Sequence, residues 1–243
     1  MRYSGEVETL MSSDIQVLDQ DIFEAVLCLA KDEACNLAAY PISVDSPFAL
    51  LAEVQVCQQL TDNLQPFFNA VTYKRSELRV ESGLILAFDD HDPGARRVIG
   101  FIDFIPRLRT QIADSTASVG SIVVAQSHRG RGVMTAMLAA LQARYCVQVL
   151  DCSVELVPIY RHFGYSPAGP TSGGTNISMS NGVPKGEAWE PPKGLHRSQL
   201  IEDVKRSIRE QLGSDEYHKA MGDLIADEEK QRLKVVEFLR GCR

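Results

Sequence analysis

The sequence predicts an α/β protein built on a mixed sheet, with a helical extension at its C-terminal end. Three observations carry this prediction. An apolar, β-branched run, Val119-Gly120-Ser121-Ile122-Val123-Val124, passes through a glycine-rich turn into a helical repeat. Two further apolar strand candidates precede it, and two amphipathic stripes occupy residues 199–243.

In chain order, Ile15-Gln16-Val17-Leu18 reads as a first strand. Phe23, Val26, Leu27 and Ala30 read as a first helix, closed off by Tyr40-Pro41. Ser46 before Pro47 marks a second helix, with Pro at its first position, Leu50, Leu51, Val54 and Leu60 at helical spacing, and an end by Pro66. Leu84-Ile85-Leu86-Ala87-Phe88 and Val98-Ile99-Gly100-Phe101-Ile102 flank a dense set of turn formers, Asp89-Asp90-His91-Asp92-Pro93-Gly94, and predict a hairpin. After the Val119–Val124 strand, Met134, Met137, Leu138, Leu141 and Tyr145 form a helical stripe. Val147-Gln148-Val149-Leu150 reads as a strand, Val154 to Phe163 as a short helix, and Asn176-Ile177-Ser178-Met179 as a last strand.

Beyond Ser180 the character changes. Gly182, Pro184, Gly186, Pro191, Pro192 and Gly194 crowd a polar stretch around the single tryptophan, Trp189, which predicts a linker or draped arm. Leu200, Ile201, Val204, Ile208 and Leu212 then make one apolar stripe, and Leu224, Ile225, Leu233, Val236 and Leu239 a second. The expected organisation is a catalytic-type domain over 1–180, a linker over 181–198 and an amphipathic helical extension over 199–243. Packing of the helices on their own chain is favoured over a homodimer or partner contact through them.

Composition reads as that of a cytoplasmic protein: there is no charged-then-apolar leader and no apolar run long enough to cross a bilayer. The six cysteines form no C-x-x-C pair and have no clustered histidines, so no metal site is expected. Residues 185–243 hold 12 basic and 12 acidic side chains, which places the net charge of −7 on residues 1–184. That field disfavours nucleic acid and favours a cationic amine.

The chemistry concentrates at Arg129-Gly130-Arg131-Gly132. Gly130 and Gly132 keep side chains away from the backbone, and the free N–H groups of the first helical turn suit an anion. Arg129 and Arg131 can add charge-assisted hydrogen bonds to phosphate oxygens. The spacing is neither the dinucleotide fingerprint nor a nucleotide-triphosphate loop, which leaves a pyrophosphate on another carrier.

Arg129-Gly130-Arg131-Gly132-Val133-Met134 resembles the pyrophosphate motif of the GNAT superfamily, the Gcn-five-related N-acetyltransferases: Arg or Gln, two residues, Gly, one residue, then Gly or Ala. Met134 replaces the final small residue and crowds the helix start. Tyr160-Arg161-His162-Phe163-Gly164-Tyr165 is similar to the family's second signature, a Tyr, three residues, Gly and an aromatic. Ser153 falls where many members have an Asn that contacts the coenzyme arm. The resemblance covers roughly residues 14–180 and implies a mainly antiparallel central sheet flanked by helices.

What the resemblance implies for activity is acetyl-CoA-dependent N-acetylation, by direct attack of a primary amine of a small molecule or protein on the thioester. Acetyl-CoA is then the co-substrate. Its pyrophosphate falls to Arg129, Gly130, Arg131, Gly132, Val133 and Met134, its arm to Ser153, and the developing oxyanion to backbone N–H groups of Ile122, Val123 and Val124. Tyr160 stands at the general-acid position; the alternative is that it packs beside Phe163. A noncatalytic GNAT-like module, with a coenzyme-binding or partner-binding role for the helical tail, is the competing reading.

A base for the amine is less defined. Asp103 interrupts an apolar strand and shares a face with Ile99 and Phe101, which would set a carboxylate in the central cleft; the favoured alternative is a strand-end Asp facing water. Asp151 and Glu155 are candidates that equally suit helix capping. His128 and His162 read as loop or helix-surface residues. Residues 36–46 and 106–115, with Tyr40, Arg107 and Arg109, are the expected walls of the acceptor site.

Overall fold

The apolar hairpin anticipated from the sequence lies at the centre of the architecture. The computed structural model describes residues 3–14, 17–38, 42–73, 77–89, 96–109, 115–189 and 195–242. In chain order the elements are β1 (Val7–Met11), α1 (Gln20–Asp32), α2 (Ala34–Leu37), α3 (Ala49–Leu64), β2 (Val71–Thr72), β3 (Arg79–Val80), β4 (Gly83–Phe88), β5 (Val98–Pro106), β6 (Thr116–Val124), α4 (Val133–Arg144), β7 (Val147–Cys152), α5 (Val157–His162), β8 (Ser166–Pro170), β9 (Ile177–Ser180), α6 (Leu195–Leu212) and α7 (Ser214–Gly241). They divide into two units: Met1–Asp32, Gln59–Leu150 and Gly182–Pro191; and Glu33–Gln58, Asp151–Asn181 and Pro192–Arg243.

In the first unit the strand order is β1-β4-β5-β6-β7. The joins β1/β4, β4/β5 and β5/β6 are antiparallel and β6/β7 is parallel, the mixed and mainly antiparallel sheet that was expected. Every residue of β4 is buried, as are all residues of β5 except Pro106. Burial on both faces explains why these strands read as continuous apolar runs rather than as alternation. Helices α1 and α4 pack on β5, α1 burying Val26 and Ala30 and α4 burying Val133, Met137, Leu138 and Leu141. Gly83 pairs with Phe104 across the ladder, and the Phe104 ring fills the space a Cβ at Gly83 would take.

The arm over 182–189 is tied down within this unit. Glu187 and Leu108 exchange backbone hydrogen bonds of 3.0 Å in both directions. Trp189 is buried with Tyr73, Val80 and Ile105, and the Glu187 carboxylate accepts from the Tyr73 hydroxyl at 2.6 Å. Pro191, Pro192 and Gly194 lie outside the described residues.

In the second unit, β8 and β9 form an antiparallel pair. Phe48, Leu51 and Ile208 make a core against which Ile201, Val204 and Leu212 of α6 and Tyr217, Ala220, Met221 and Leu224 of α7 pack. The two tail helices therefore bury apolar faces on their own chain. Further along α7, Lys234 pairs with Glu155 at 2.8 Å and the Arg161 guanidinium lies 5.5 Å from the Phe238 ring centroid.

Several expectations need correction. The first strand is Val7–Met11, not Ile15–Leu18; Ile15 and Gln16 lie outside the described residues, and Leu18 is buried without strand pairing. Glu8 and Thr9 dilute the apolar signal of β1, as suits an edge strand. The second helix starts at Ala49, because Ser46 caps a turn instead: its Oγ accepts from Phe48 N–H at 3.2 Å and its carbonyl from Ala49 N–H at 3.0 Å. That helix ends at Leu64, before Pro66. The short elements α2, β2, β3 and β8 were not anticipated, and β8 holds Pro167, Gly169 and Pro170, residues that weaken a strand signal. Of the turn formers between β4 and β5 only Asp89 is described, and Tyr40-Pro41 also lies outside the described residues.

Substituting Gly83→Ala places a methyl group inside the Phe104 ring. The expected outcome is a loss of about 1–3 kcal/mol from the forced shift of a packed core, read as a lower urea midpoint with an unchanged slope.

Candidate functional site

Strand β6 parts from its parallel neighbour halfway along. The β6/β7 register covers Thr116↔Val147, Ala117↔Gln148 and Ser118↔Val149, whereas the β5/β6 ladder runs on to Gly100↔Val124. Ala125 N–H donates to Ile99 O at 2.8 Å, so by strand alternation Val123 N–H also belongs to the β5 ladder. The N–H groups of Ile122 and Val124 point the other way, toward the side that β7 has left.

The turn after β6 begins with a 3-10 segment, Gln126–His128, and enters α4 through two left-handed glycines, Gly130 (φ 73°) and Gly132 (φ 88°). An L side chain at either position would be strained. A Cβ at Gly130 would have no heavy atom within 4 Å, whereas one at Gly132 would lie 3.4 Å from the Tyr3 backbone nitrogen. The first intrahelical bond is Ala136 N–H to Gly132 O at 3.0 Å, which leaves the N–H groups of Val133, Met134 and Thr135 outside the helical ladder. Val133 is buried and anchors the helix start, while Met134 is half-buried. Arg129 is exposed and folds back to donate from Nε to Val124 O at 3.2 Å; Arg131 is exposed. This turn combines open backbone donors, a helix N-terminus and two cations, and so fits a pyrophosphate.

His128, just before the turn, is buried rather than on the surface. Its Nδ1 lies 2.9 Å from Ser127 Oγ and its Nε2 3.5 Å from Asp89 Oδ2, so both ring nitrogens are engaged. Arg109 pairs with Glu187 at 2.8 Å, and the Arg107 Nε donates to Ser118 Oγ at 3.3 Å. Within the expected acceptor walls, Ala39–Pro41 and Thr110–Asp114 lie outside the described residues.

Asp103 overturns the expectation of a water-facing strand end: it is 0 % exposed. Asn63 Nδ2 donates to its Oδ2 at 2.8 Å, and Ser121, its partner across the ladder, hydrogen-bonds the carboxylate through both side chain and backbone. Oδ1 has no hydrogen-bond partner among the described residues. Asn63 is itself held, since the Ser82 hydroxyl donates to its carbonyl. The register slips between Asp103 and Phe104, leaving Gly120 as the bulged residue of β6. A Cβ at Gly120 would collide with Asp103 Oδ2 and lie 2.7 Å from Asn63 Nδ2. Burial, only partly offset by these hydrogen bonds, pushes the Asp103 carboxyl up to about 6. Sequence reasoning missed Asn63, Gly120 and Ser121; a lone glycine inside a β-branched run was the available signal for the bulge.

In the second unit, Ser153 is extended and precedes a 3-10 turn, Val154–Leu156, with Leu156 N–H donating to its carbonyl at 3.1 Å. Its hydroxyl serves Glu155, which the Lys234 ammonium, first, and this hydroxyl hold below the usual carboxylate range. Asp151 accepts from Ser178. Tyr160 is buried on α5 with its ring edge-on to Tyr165 at 6.0 Å, and Phe163 makes an edge contact with His162. Burial, with lesser contributions from Cys152 and Tyr165, pushes the Tyr160 phenol well above its ordinary value. The Cys152 thiol, in contact with Met179 Sδ at 3.4 Å, is likewise pushed up to about 12 by burial. His162 is exposed.

Residues 50–165 match the model of the acetyltransferase (GNAT) family. Solved structures of similar fold include Escherichia coli ElaA, at 15% identity over 73% of this chain and 99% of that one, with a TM-score of 0.42. A histone acetyltransferase HPA2 and related acetyltransferase from Corynebacterium glutamicum is 15% identical over 76% of this chain and 99% of its own, with a TM-score of 0.45. An acyl-CoA N-acyltransferase from Pseudomonas aeruginosa is 14% identical over 73% and 100%, with a TM-score of 0.44. No curated protein sequence gives a significant match. No helix among the described residues is long and apolar enough to cross a membrane.

The raised Asp103 carboxyl sets a pH dependence of stability. Its folded value lies above the unfolded one, so its contribution is full below about pH 4 and is lost as pH rises through about 6. The expected outcome is a wild-type stability that falls relative to Asp103→Asn by on the order of 3 kcal/mol across that window, measured by urea unfolding at pH 4 and pH 7.

Proposed function

We propose that this chain, which belongs to the GNAT acetyltransferase family through residues 50–165, is an acetyl-CoA-dependent N-acetyltransferase acting on a primary amine of a small molecule or protein. The observation that carries the reading is the left-handed turn at Gly130 and Gly132, set at the end of a strand that has parted from its parallel neighbour. A strand whose outward N–H groups have no partner strand, followed at once by an anion-binding helix start, suits an acyl carrier that ends in a pyrophosphate.

Each residue then has a distinct task. The N–H groups of Val133, Met134 and Thr135 bind pyrophosphate oxygens, and Arg129 and Arg131 add positive charge beside them. Ile122 and Val124 offer backbone N–H groups to the oxygen that gains charge as the amine attacks the acetyl carbonyl. Val123 keeps these two aimed through its ladder bonds to β5. Tyr160 donates its phenolic hydrogen to the departing sulfur. A phenol pushed up by burial stays protonated and is a weaker acid, so it serves the departing sulfur as a hydrogen-bond donor rather than by complete proton transfer. Ser153, with its hydroxyl on Glu155, positions the start of the short helix that leads to Tyr160.

The competing noncatalytic reading draws on Met134 at the helix start and on the engaged Ser153 hydroxyl. Calorimetric titration with acetyl-CoA, with CoA and ATP as controls, followed by an amine screen for released thiol, separates the two. Saturable, coenzyme-selective binding with thiol release is the expected result. Coenzyme binding without release to any amine favours the noncatalytic module, and no binding removes the coenzyme role.

Two substitutions probe the assignments separately. Tyr160→Phe is expected to lower kcat about 100-fold while leaving acetyl-CoA affinity within twofold of wild type; unchanged kcat would remove the acid role. Gly132→Val forces a β-branched side chain into a left-handed backbone at the helix start. It is expected to weaken acetyl-CoA binding by about tenfold or more, read by the same calorimetry.

A further inference from the structure

The groups around Gly120 assemble into a path for a proton. Asp103 is fully buried, and its Oδ1 has no hydrogen-bond partner among the described residues. The other oxygen is clamped by Asn63 at 2.8 Å, and Asn63 by Ser82, so the carboxylate cannot swing away. On the β6 side the carboxylate meets Ser121, whose hydroxyl hydrogen-bonds it and whose residue is half-exposed. Ser121 therefore links a buried proton acceptor to the protein surface. It stands immediately before Ile122, whose N–H points to the side that β7 has left. Gly120 makes the link sterically feasible, since any Cβ there would occupy the carboxylate's place.

We propose that Ser121 is the catalytic residue that takes the proton from the attacking amine and passes its own to Asp103, which acts as a positioning residue and proton store behind it. This rests on the N-acetyltransferase reading above. As the amine nitrogen's lone pair forms the bond to the acetyl carbon, the C=O electron pair moves onto oxygen and the nitrogen's proton becomes acidic. That N–H bond breaks toward Ser121 Oγ while the Ser121 O–H bond breaks toward the Asp103 carboxylate, so Ser121 ends unchanged and Asp103 ends protonated. When the carbonyl re-forms, the C–S bond breaks and the departing thiolate takes up a proton from solvent. Asp103 then returns its proton to solvent through Ser121.

The electrostatics suit the task. A carboxyl pushed up to about 6 is ionised at neutral pH yet a far better proton acceptor than an exposed one. Around it stand Asn63 from α3, Ser121 and Gly120 from β6, and Leu84 across the β4 ladder. Helix α1 meets β5 with Val26 and Ala30, and α4 with Val133 and Met137. Desolvation and hydrogen bonds alone account for the shift, and no charged side chain contributes to it.

The test uses the full chain with acetyl-CoA and two amine probes, spermidine and a lysine-bearing peptide, reading thiol release from pH 5 to 9 and coenzyme affinity by calorimetry. Wild-type kcat is expected to fall with unit slope below about pH 6, matching ionisation of Asp103. Asp103→Asn and Ser121→Ala are expected to lose about 100-fold in kcat with coenzyme affinity unchanged, and Asp103→Asn to lose the acidic limb. Ser121→Thr, which keeps a hydroxyl, is expected to recover most of the rate; a purely structural Ser121 would not separate Ala from Thr in kcat. Variants that keep wild-type kcat or the wild-type limb would overturn the relay while leaving the transferase reading intact. A wild type that binds acetyl-CoA but releases no thiol to either probe would overturn both.

Discussion

One carboxylate that solvent does not reach organises the middle of the sheet. Burying an ionised Asp among Leu, Ile and Phe costs several kcal/mol unless it is well hydrogen-bonded, and Asn63 and Ser121 supply part of what is needed. The remainder appears as a carboxyl pushed up to about 6. Space for the group comes from β6, which carries a glycine at position 120 and bulges there. A bulge sharpens the local bend and twist of a strand. The pairing of β6 with β7 stops at Ser118, two residues before that bulge. The buried Asp, the glycine that admits it and the parting of the two parallel strands are thus one structural fact seen from three positions. Together they leave the N–H groups of Ile122 and Val124 pointing away from β5.

The proposed pyrophosphate site in the turn that follows meets a different problem, that of holding an anion on a chain with a net charge of −7. Long-range attraction cannot help, and at physiological salt it is screened beyond about 8 Å. What matters is short-range geometry. Two left-handed glycines bring the chain into α4 with its first N–H groups unbonded by the helix, and the partial positive charge of a helix N-terminus adds to those of Arg129 and Arg131. Arg129 is also fastened to the Val124 carbonyl, so its guanidinium stays next to the turn at a lower entropic cost than a free side chain.

Much of this was legible in the sequence because it depends on local rules. Continuous apolar runs marked β4 and β5 as strands buried on both faces, and the spacing of Met134, Met137, Leu138 and Leu141 marked α4. The glycine turn was visible because left-handed backbone selects for Gly. Edge strands were poorly legible: Val7–Met11 carries Glu8 and Thr9, and Ser166–Pro170 carries two prolines, since an edge need bury only part of its surface. Asp103 failed for the opposite reason. The base rate for a lone Asp in a strand favours water, and what overrides it is Asn63, forty residues away in the chain and adjacent only after folding. His128 failed similarly, because its partner Asp89 is far away in the chain and is brought to it only by folding.

A single physical cause, desolvation, gives the two proposed proton-handling groups opposite capacities. Burial disfavours the charged form of any acid, so it raises the proton affinity of both Asp103 and Tyr160. For a carboxyl that starts near 4, the shift brings it up toward neutral pH, where it is ionised but eager to accept. For a phenol that starts near 10, the same shift carries it away from neutral pH and leaves it neutral, a hydrogen-bond donor that parts with its proton less readily. The hydrogen-bond environments reinforce the division. Asp103 keeps hydrogen bonds that favour its charged form, Asn63 among their donors, and these limit its shift. Tyr160 has around it Cys152 and Tyr165, two groups whose ionised forms would repel a phenolate. Burial thus sorts two acids into a base and an acid without a charged neighbour for either, which is why neither role could be read from charge patterning in the sequence.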